Sequence, residues 1–327
     1  MIEIRDKILT GIKFIDLFAG IGGFRLALES LGAECVFSSE WDAAAARTYS
    51  ENFGDVPAGD VTKIDEKDVP DHDVLCAGFP CQAFSISGKK LGFEDSRGTL
   101  FFDVARIAKE KKPKIVFLEN VKNFASHDGG NTLRVVRETM EGLGYDFFHK
   151  VLNAADYGVP QKRERIYMVC VRRDLEAGSF SFPEPIPLER RVRDILLPDG
   201  DDVAPLWKST DGVVFKSGVS DFSSNSPVRV GSVGLGRQGE RVYGVNGTAV
   251  TLSAYGGGAF AKTGGYLIDG RVRKLHPREC ARLMGYPDSY KIAESPNVAY
   301  RQFGNSVVVD VLQRIACGFG DVLRASV

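Results

Sequence analysis

A cysteine, a carboxylate and a pair of arginines lie in this 327-residue chain in contexts that suit joint chemistry on a heterocyclic ring. Cys81 lies in Gly-Phe-Pro-Cys-Gln (78–82), Glu119 precedes Asn-Val, and Arg163 and Arg165 lie in Gln-Lys-Arg-Glu-Arg (161–165). A thiolate that adds to carbon 6 of a pyrimidine makes carbon 5 nucleophilic, and a carboxylic acid at ring nitrogen 3 makes that addition feasible. The residues therefore predict covalent activation of a pyrimidine.

The other cysteines do not suggest a metal or disulfide framework. The chain has six cysteines without a Cys-x-x-Cys pair, and only four histidines, so we expect no zinc site. Five of the six are predicted to be small buried side chains in a reducing compartment: 35, 76, 170, 280 and 317. Cys81 differs because loop residues flank it.

Short apolar strands alternate with amphipathic helices over the first 175 residues. Strands are predicted at 13–18, 33–38, 73–77, 115–119, 147–153 and 166–171. Helices are predicted between them, at 23–31, 43–52, 98–109 and 132–143. This alternation predicts an α/β fold with a doubly wound, mostly parallel sheet. Ligands of such sheets bind beyond the carboxyl ends of the strands, where Glu119 is expected.

The pattern changes after the prolines near residues 183–198. Residues 194–275 contain 15 of the 36 glycines and only short strand-like pieces, at 241–243, 249–253 and 266–268. A helix begins again near residue 276, and a final helix is predicted over 305–323 as part of the first core. We therefore predict a catalytic and cofactor-binding domain (1–193), an inserted small recognition domain of strands and glycine-rich loops (194–275), and a hinge that returns to the catalytic domain (276–327).

Charge is distributed unevenly, although the net charge is only −1. Residues 229–274 carry seven basic and two acidic residues, a local excess of five positive charges. Such a segment favours a local contact with phosphates, and an ordinary solvated charged face is the alternative. The chain has no run of 18 apolar residues and no apolar region of a signal peptide, so we expect a cytoplasmic protein without a membrane span.

A glycine-rich turn follows the first predicted strand, in Phe-Ala-Gly-Ile-Gly-Gly (18–23), and Glu40 ends the second strand. Glycines at such a turn let the backbone approach a ligand, and an acid at this distance can hold ribose hydroxyls. Arg25 stands where the dinucleotide fingerprint has glycine, which disfavours a nicotinamide or flavin cofactor. The alternatives are a purely structural turn and, for Trp41, simple core packing.

From residue 14 to residue 310, these motifs resemble in order those of the bacterial cytosine-5 DNA methyltransferases. The resemblance implies the fold of S-adenosylmethionine-dependent methyltransferases, with S-adenosylmethionine as methyl donor, S-adenosylhomocysteine as product and no metal. It also implies a cofactor site, in which Glu40 takes the ribose, Trp41 lies against the adenine, Asp60 reads its amino group and Asn305 closes the pocket. The implied cofactor-binding residues are Phe18, Gly20, Ile21, Gly23, Glu40, Trp41, Asp60, Val61, Pro80, Leu100 and Asn305.

The same resemblance assigns the catalytic roles. Cys81 would be the nucleophile, favoured as thiolate by Arg165, and Glu119 would hydrogen-bond ring nitrogen 3. Arg163 and Arg165 would contact phosphate, sugar and the ring carbonyl, whereas a surface salt bridge with Glu164 is the alternative. The cytosine must leave the duplex to be reached, and residues 83–98 would form a closing lid over it.

The recognition segment resembles that of family members that methylate the inner cytosine of GCGC, through Gly-Glu-Arg (239–241), residues 251–258 and residues 260–266. Arg241 would read a guanine, Gln238 and Ser87 would fill the gap left by the flipped base, and Thr251 would contact a phosphate. The implied DNA-binding residues are Ser85, Ser87, Lys89, Arg97, Gln238, Arg241, Thr251, Tyr255 and Gly258. Two features depart from the pattern: Arg237 replaces an expected glycine, and residues 195–228 show little likeness.

We therefore expect a DNA cytosine-5 methyltransferase of a restriction–modification system. Its partner is double-stranded DNA, and we expect no membrane contact. We expect a monomer in the prokaryotic cytoplasm, at the nucleoid. A restriction endonuclease is expected to act on the same target without being a subunit. The alternatives are an RNA cytosine-5 methyltransferase, a catalytically silent DNA-binding regulator and, less favoured, a nicotinamide oxidoreductase.

Overall fold

A computed structural model describes residues 7–80, 100–175, 180–219 and 222–324. The strands are β1 Lys13–Leu17, β2 Glu34–Ser39, β3 Val74–Ala77, β4 Ile115–Val121, β5 Tyr145–Asn153, β6 Glu164–Arg172, β7 Trp207–Lys208, β8 Val214–Phe215, β9 Arg229–Ser232, β10 Arg241–Gly244, β11 Gly265–Ile268 and β12 Arg271–Lys274. The α-helices are α1 Gly23–Ser30, α2 Ala43–Phe53, α3 Leu100–Lys111, α4 Asn131–Gly142, α5 Pro277–Leu283, α6 Pro296–Asn305, α7 Val309–Cys317 and α8 Phe319–Arg324.

The first sheet has the strand order β2-β1-β3-β4-β6-β5. Strands β2, β1, β3 and β4 are parallel, and β6 is antiparallel to β4. The chain moves outward from β1 to β2 and then in the opposite direction from β3 to β4. A crevice therefore opens beyond the carboxyl ends of β1 and β3, where ligands of such sheets bind. The predicted α/β class with a mostly parallel sheet is confirmed, with one antiparallel pair identified.

The parallel strands form because their residues are apolar on both faces, as a sheet covered on both sides requires. Residues 115–118 of β4 and residues 74–77 of β3 are completely buried. A core of aliphatic and aromatic side chains from these strands and from α3 and α4 covers the sheet. All six predicted strands and four predicted helices of this region are confirmed to within two residues at either end.

The second sheet has the order β7-β12-β11-β10-β9-β8. Strands β10 and β11 pair in parallel, and the neighbouring pairs are antiparallel. Its core is small and consists of Val228, Val230, Val242, Phe260 and Val272. Because so few apolar residues are needed, glycine-rich loops rather than apolar periodicity indicate this region in the sequence. The predicted strand pieces at 241–243 and 266–268 are confirmed within β10 and β11.

Two predicted elements are wrong. Residues 249–253 form a loop with one isolated bridge, Gln161 to Ala249, because side chains of residues 161–163 bind its backbone in place of a neighbouring strand. The helix predicted over 305–323 is instead two helices, α7 and α8, which follow the last residue of α6 at 305. Arg163 donates to the carbonyl groups of Gly304 and Ser306, and Ser306 is extended at ψ 170°, so α6 cannot continue.

The chain divides into two compact units. Of the described residues, those within 7–152, 164–184 and 312–324 form the unit that contains the first sheet, and those within 153–163 and 185–311 form the unit that contains the second sheet. The functional boundaries at 193 and 275 remain a prediction. Among the described residues, no helix combines the length and apolar character that a membrane crossing needs.

Candidate active site and recognition loops

A carboxylate and a guanidinium meet at the carboxyl end of β4. Val121 of β4 is paired with Arg165 of β6, and Glu119 with Tyr167. Arg165 is thus the diagonal neighbour of Glu119 on one face of the sheet, where long side chains can meet. Arg165 Nε lies 3.1 Å from Glu119 Oε1, and both side chains are largely buried. The expected stabilisation of a Cys81 thiolate by Arg165 remains a prediction, because the structure describes Glu119 as the partner of Arg165.

Asn120 holds the backbone that leads to the proposed nucleophile. Its Nδ2 donates to the Phe79 carbonyl at 2.9 Å, and its Oδ1 accepts from the Val121 amide. Phe79 is buried and its ring packs between those of Phe101 and Phe124. Pro80 is exposed directly after it. This anchoring residue was missed from the sequence, although it directly follows Glu119.

Several predicted residues lie outside the described ranges, so their positions remain predictions. They are the nucleophile Cys81, the DNA contacts Ser85, Ser87, Lys89 and Arg97, and the rest of the proposed lid.

Arg163 is buried against backbone groups. The side chain is 2% exposed, and its guanidinium donates to the carbonyl groups of Leu252, Gly304 and Ser306 at 3.0, 3.0 and 2.6 Å. The guanidinium therefore faces backbone carbonyl groups in this structure, which suits a positioning role, and the direct contact of Arg163 with DNA stays a prediction. Glu164 pairs instead with Lys122 at 2.8 Å.

The glycine-rich turn after β1 has the strained geometry of a ligand-binding loop. Phe18 and Gly20 both have φ of 56°, in the left-handed region. A Cβ atom added to Gly22 would lie 2.2 Å from the Phe53 ring, so only glycine lets the turn pack against α2. Ile21 is buried, and Gly23 begins α1.

Glu40 closes this turn from the end of β2. Its two oxygens accept from the Gly20 amide at 2.8 Å and from the Asp42 amide at 2.7 Å. Burial raises the pKa of its carboxyl group. A carboxylate has about four acceptor positions, so these two bonds leave capacity for the hydroxyl groups of a ribose.

Trp41 and Asp60 are available to a ligand near the same strand ends. Trp41 is 75% exposed, which excludes the alternative of core packing. Asp60 begins the short 3₁₀ helix Val61–Lys63 and accepts from the amide and hydroxyl of Thr62. These bonds lower the pKa of Asp60, which therefore stays a carboxylate that could accept from an amino group. Val61 is buried beside it.

The remaining predicted cofactor residues have simple positions. Leu100 is half-buried and begins α3. Asn305 is exposed at the end of α6, in the unit that contains the second sheet.

Two charged residues beneath the turn were missed from the sequence. Asp16 is completely buried in β1, and burial together with the nearby charge of Glu40 raises its pKa well above the usual range. Arg25 was noted only as a departure from the dinucleotide pattern. It is 9% exposed, donates to Glu29 and Asp55, and lies 4.6 Å from the centre of the Phe53 ring. Arg25 thus fastens α1 to the end of α2.

Exposed reading candidates lie on two loops beside the second sheet. Tyr255 is 73% exposed, and Gly258 has φ of 104°. The two loops touch through glycines: a Cβ atom on Gly239 would lie 2.0 Å from the Gly257 carbonyl oxygen. The Phe260 amide also donates to the Gly239 carbonyl at 2.8 Å. Because neither loop has a side chain at this contact, the backbones fix their separation.

Gln238 lies on the first of these loops, and Arg241 begins β10 directly after it. Gln238 is exposed, and Arg241 is half-buried with Nε 3.4 Å from the Gly236 carbonyl oxygen. Arg237 has an ordinary φ of −62° and an exposed side chain, so no glycine is required at that position. Its amide donates to Glu240 at 2.8 Å, which holds the turn.

One other arginine of the basic segment is buried, and one predicted phosphate contact already has a partner. Arg273 is 1% exposed, and both terminal guanidinium nitrogens donate to Glu279, so its charge is not available to a phosphate. Thr251 Oγ1 donates to the Lys162 carbonyl at 2.6 Å, so its proposed phosphate contact would have to share that hydroxyl.

The free cysteines are only partly as expected. Cys76, Cys170 and Cys280 are buried, whereas Cys35 and Cys317 are half-buried. Burial raises the pKa of Cys35 to about 12, so this thiol is not a nucleophile. Within the described ranges, no three His, Cys, Asp or Glu side chains are grouped to hold a metal ion.

Comparisons with known proteins agree on one family. The family model described as C-5 cytosine-specific DNA methylase matches residues 12–319. The chain is 64% identical to the Type II methyltransferase M.HhaI of Haemophilus parahaemolyticus, with 99% of both chains covered. It is 44% identical to the Type II methyltransferase M.HpaII of Haemophilus parainfluenzae, covering 95% of this chain and 88% of that one.

Solved structures share the fold at much lower identity. The Schizosaccharomyces pombe Dnmt2 methyltransferase has a TM-score of 0.71 at 19% identity, with 96% of this chain and 98% of that chain covered. The Entamoeba histolytica methyltransferase EhMeth also has a TM-score of 0.71, at 18% identity, with 95% and 98% covered. At these identities the likeness concerns the fold alone.

Proposed function

Because the chain belongs to the C-5 cytosine-specific DNA methylase family and is a DNA cytosine-5 methyltransferase, we propose that it methylates the inner cytosine of GCGC through a covalent adduct of Cys81. The observation that supports this chemistry is the Glu119–Arg165 pair at the end of β4. The residue after Glu119, Asn120, binds the Phe79 carbonyl group. A carboxyl group and the backbone leading to the cysteine are thereby fixed by adjacent residues of one strand.

The proposed reaction follows from these groups. The Cys81 thiolate forms a bond to carbon 6 while Glu119 supplies a hydrogen bond and proton at ring nitrogen 3, so the ring becomes an enamine. Arg165 holds the Glu119 carboxyl group in place. After carbon 5 has been methylated, a base such as water takes its proton, the C–H electrons form the C5–C6 double bond, and Cys81 leaves as a thiolate. Nitrogen 3 returns its proton to Glu119, which restores the aromatic ring. The family's methyl donor, S-adenosylmethionine, supplies an electrophilic methyl group when bound.

The turn after β1 fits that donor. Glu40 has capacity for ribose hydroxyls, Trp41 offers an exposed ring to a purine, and Asp60 offers an acceptor to its amino group. Phe18, Gly20, Ile21 and Gly23 form the cradle. We propose that Val61, Pro80, Leu100 and Asn305 complete this site, that S-adenosylhomocysteine leaves it, and that no metal takes part.

Trp41→Ala is expected to weaken cofactor binding by roughly threefold to tenfold, the contribution of one aromatic stacking contact. Stability should change little because the ring is 75% exposed. Affinity is measured by calorimetric titration with S-adenosylhomocysteine, and the emission of the two tryptophans of the chain reports separately where it binds. In Trp207→Phe, emission from Trp41 should change on titration; in Trp41→Phe, emission from Trp207 should not. An unaltered affinity in Trp41→Ala would remove this residue from the site.

Target recognition is proposed to reside in the two glycine-bridged loops. Gln238 would fill the gap left by the flipped base, Arg241 would read a guanine, and Tyr255 and Gly258 would contact base edges. Thr251 would contact a phosphate. We assign the catalytic role to residues 1–193 and 276–327 and recognition to residues 194–275.

Arg241→Ala is expected to weaken discrimination at a single guanine by about 1–3 kcal/mol, the usual contribution of a bidentate contact. The measurement compares kcat/KM on GCGC with kcat/KM on duplexes that carry each single substitution. Arg237→Ala is the control, because that side chain is also basic and lies on the preceding turn, where it is exposed, and no reading role is proposed for it. If Arg241→Ala lowers kcat/KM equally for all duplexes, Arg241 contacts phosphate instead.

The deciding experiment is methylation of a mixed-sequence duplex with S-adenosylmethionine, followed by mapping of 5-methylcytosine. Modification confined to the inner cytosine of GCGC is the expected result. Modification of a different motif would overturn the target and retain the chemistry. Absence of modification by a folded protein that binds cofactor would overturn both and favour an RNA substrate or a regulatory role.

The proposal extends to the protein's setting. We propose that it acts as a monomer on double-stranded DNA and protects the sites that a restriction endonuclease of the same specificity cuts. We further propose that it works in the cytoplasm at the nucleoid, because its substrate lies there in a prokaryotic cell.

A further inference from the structure

Gln161 is a buried amide that binds backbone groups at both of its ends. It is completely buried, and Nε2 donates to the Leu283 carbonyl at 2.9 Å, with Met284 Sδ at 3.4 Å. Oε1 accepts from the Leu252 amide at 3.1 Å. The amide therefore links the end of α5 to the loop that leads to Tyr255.

Neighbouring residues also bind the backbone of this loop and thereby restrict its conformation. The Lys162 amide donates to the Ala249 carbonyl at 2.8 Å, and the Ala249 amide donates to the Pro160 carbonyl at 2.7 Å. Thr251 Oγ1 donates to the Lys162 carbonyl. Arg163 takes the Leu252 carbonyl, so both backbone groups of Leu252 are bound by side chains from 161–163.

Close backbone packing extends from Leu252 to the reading loops. A Cβ atom on Gly304 would lie 2.2 Å from the Ala254 nitrogen, so α6 supports residues 253–254 directly. Tyr255 follows, exposed, and Gly258 approaches the Gly239 carbonyl so closely that a Cβ atom there would lie 2.7 Å from its oxygen. A shift at Leu252 would therefore be passed on to both loops.

We infer that Gln161 is a positioning residue for target discrimination, acting through the Leu252 backbone on the loop that contains Tyr255 and on the loop that leads into Arg241. This inference rests on the proposed recognition of a specific DNA sequence. Gln161 has no contact with DNA in this role. Loss of its amide leaves the Leu252 N–H and the Leu283 carbonyl buried without that partner, which favours a rearranged loop.

The first test is Gln161→Met, which retains the length of the side chain and removes both hydrogen bonds. The discrimination ratio is kcat/KM for GCGC divided by kcat/KM for a singly substituted duplex. In Gln161→Met this ratio is expected to fall about tenfold, comparable to the loss of a direct contact. Affinity for S-adenosylhomocysteine is expected to be retained. Gln161→Glu keeps an acceptor for the Leu252 amide and is expected to retain more of the ratio than Gln161→Met.

Gln313→Met is the matched control. Gln313 is also buried, at 1% exposure, and its Nε2 donates to Ser30 Oγ at 2.7 Å. The same change of side chain is expected to lower the unfolding temperature without changing the discrimination ratio. All variants are compared at equal fractions of folded protein, determined by thermal unfolding.

The outcomes separate the two proposals. Equal discrimination ratios in Gln161→Met and Gln313→Met overturn the positioning role, as does a folded Gln161→Glu that discriminates no better than Gln161→Met. If the unaltered protein methylates duplexes without sequence preference, the proposed recognition itself fails.

Discussion

Replacing Cys81 by serine is expected to abolish methyl transfer, with a loss of at least roughly 10³-fold in kcat. A hydroxyl group is far less acidic than a thiol and does not supply the anion that adds to carbon 6. DNA binding is expected to survive, because the substitution changes one atom. Methylation is measured by transfer of a labelled methyl group, and binding by the shift of a cognate duplex.

Cys317→Ser provides the matched control for that change. Cys317 is half-buried at the end of α7, and burial raises the pKa of its thiol. We expect normal turnover from it. Normal turnover from Cys81→Ser as well would show that no covalent adduct forms at this cysteine.

Glu119→Gln is expected to lower kcat by about 10²–10⁴-fold, the usual contribution of a positioned general acid. The amide preserves the shape of the side chain but does not supply the proton that nitrogen 3 requires. It also replaces the carboxyl group whose oxygen lies 3.1 Å from Arg165 Nε, so the position of the side chain becomes less fixed. Single-turnover rates at saturating DNA and cofactor measure the chemical step.

Glu164→Gln makes the same change on the neighbouring strand. Glu164 pairs with Lys122 and is partly exposed, and an exposed pair contributes at most about 1 kcal/mol to stability. Its rate is expected to equal that of the unaltered protein. If Glu119→Gln also reacts at the normal rate, Glu119 is not the acid, and the pair with Arg165 is structural.

The sheet could be predicted from the sequence because its strands are continuous apolar runs. Residues 74–77 and 115–118 are buried on both faces, and this leaves a strong signal in a single chain. The C-terminal helices could not be divided correctly. The break after Asn305 depends on Arg163, which is distant in sequence and takes the carbonyl groups of Gly304 and Ser306.

The candidate site shows the same contrast. Glu119, Glu40 and the glycines after β1 were predictable because strand ends and tight turns have local signatures. The roles of Gln161 and Arg163 were not, because they depend on the burial of polar side chains against the backbone of residue 252. The exposure of Trp41 likewise depends on which elements lie around it.

The glycine contact between the two reading loops has a consequence for how specificity can change over evolution. The loops meet at Gly239 and Gly257 through backbone atoms, while Tyr255 and Gln238 extend outward as exposed side chains. Mutations at the exposed positions can therefore accumulate without displacing the scaffold, and a lineage could acquire a new target by a few surface replacements. A Cβ atom at Gly239 would lie 2.0 Å from the Gly257 carbonyl oxygen, and one at Gly258 would lie 2.7 Å from the Gly239 carbonyl oxygen, so selection should preserve Gly239 and Gly258 while the exposed positions diverge.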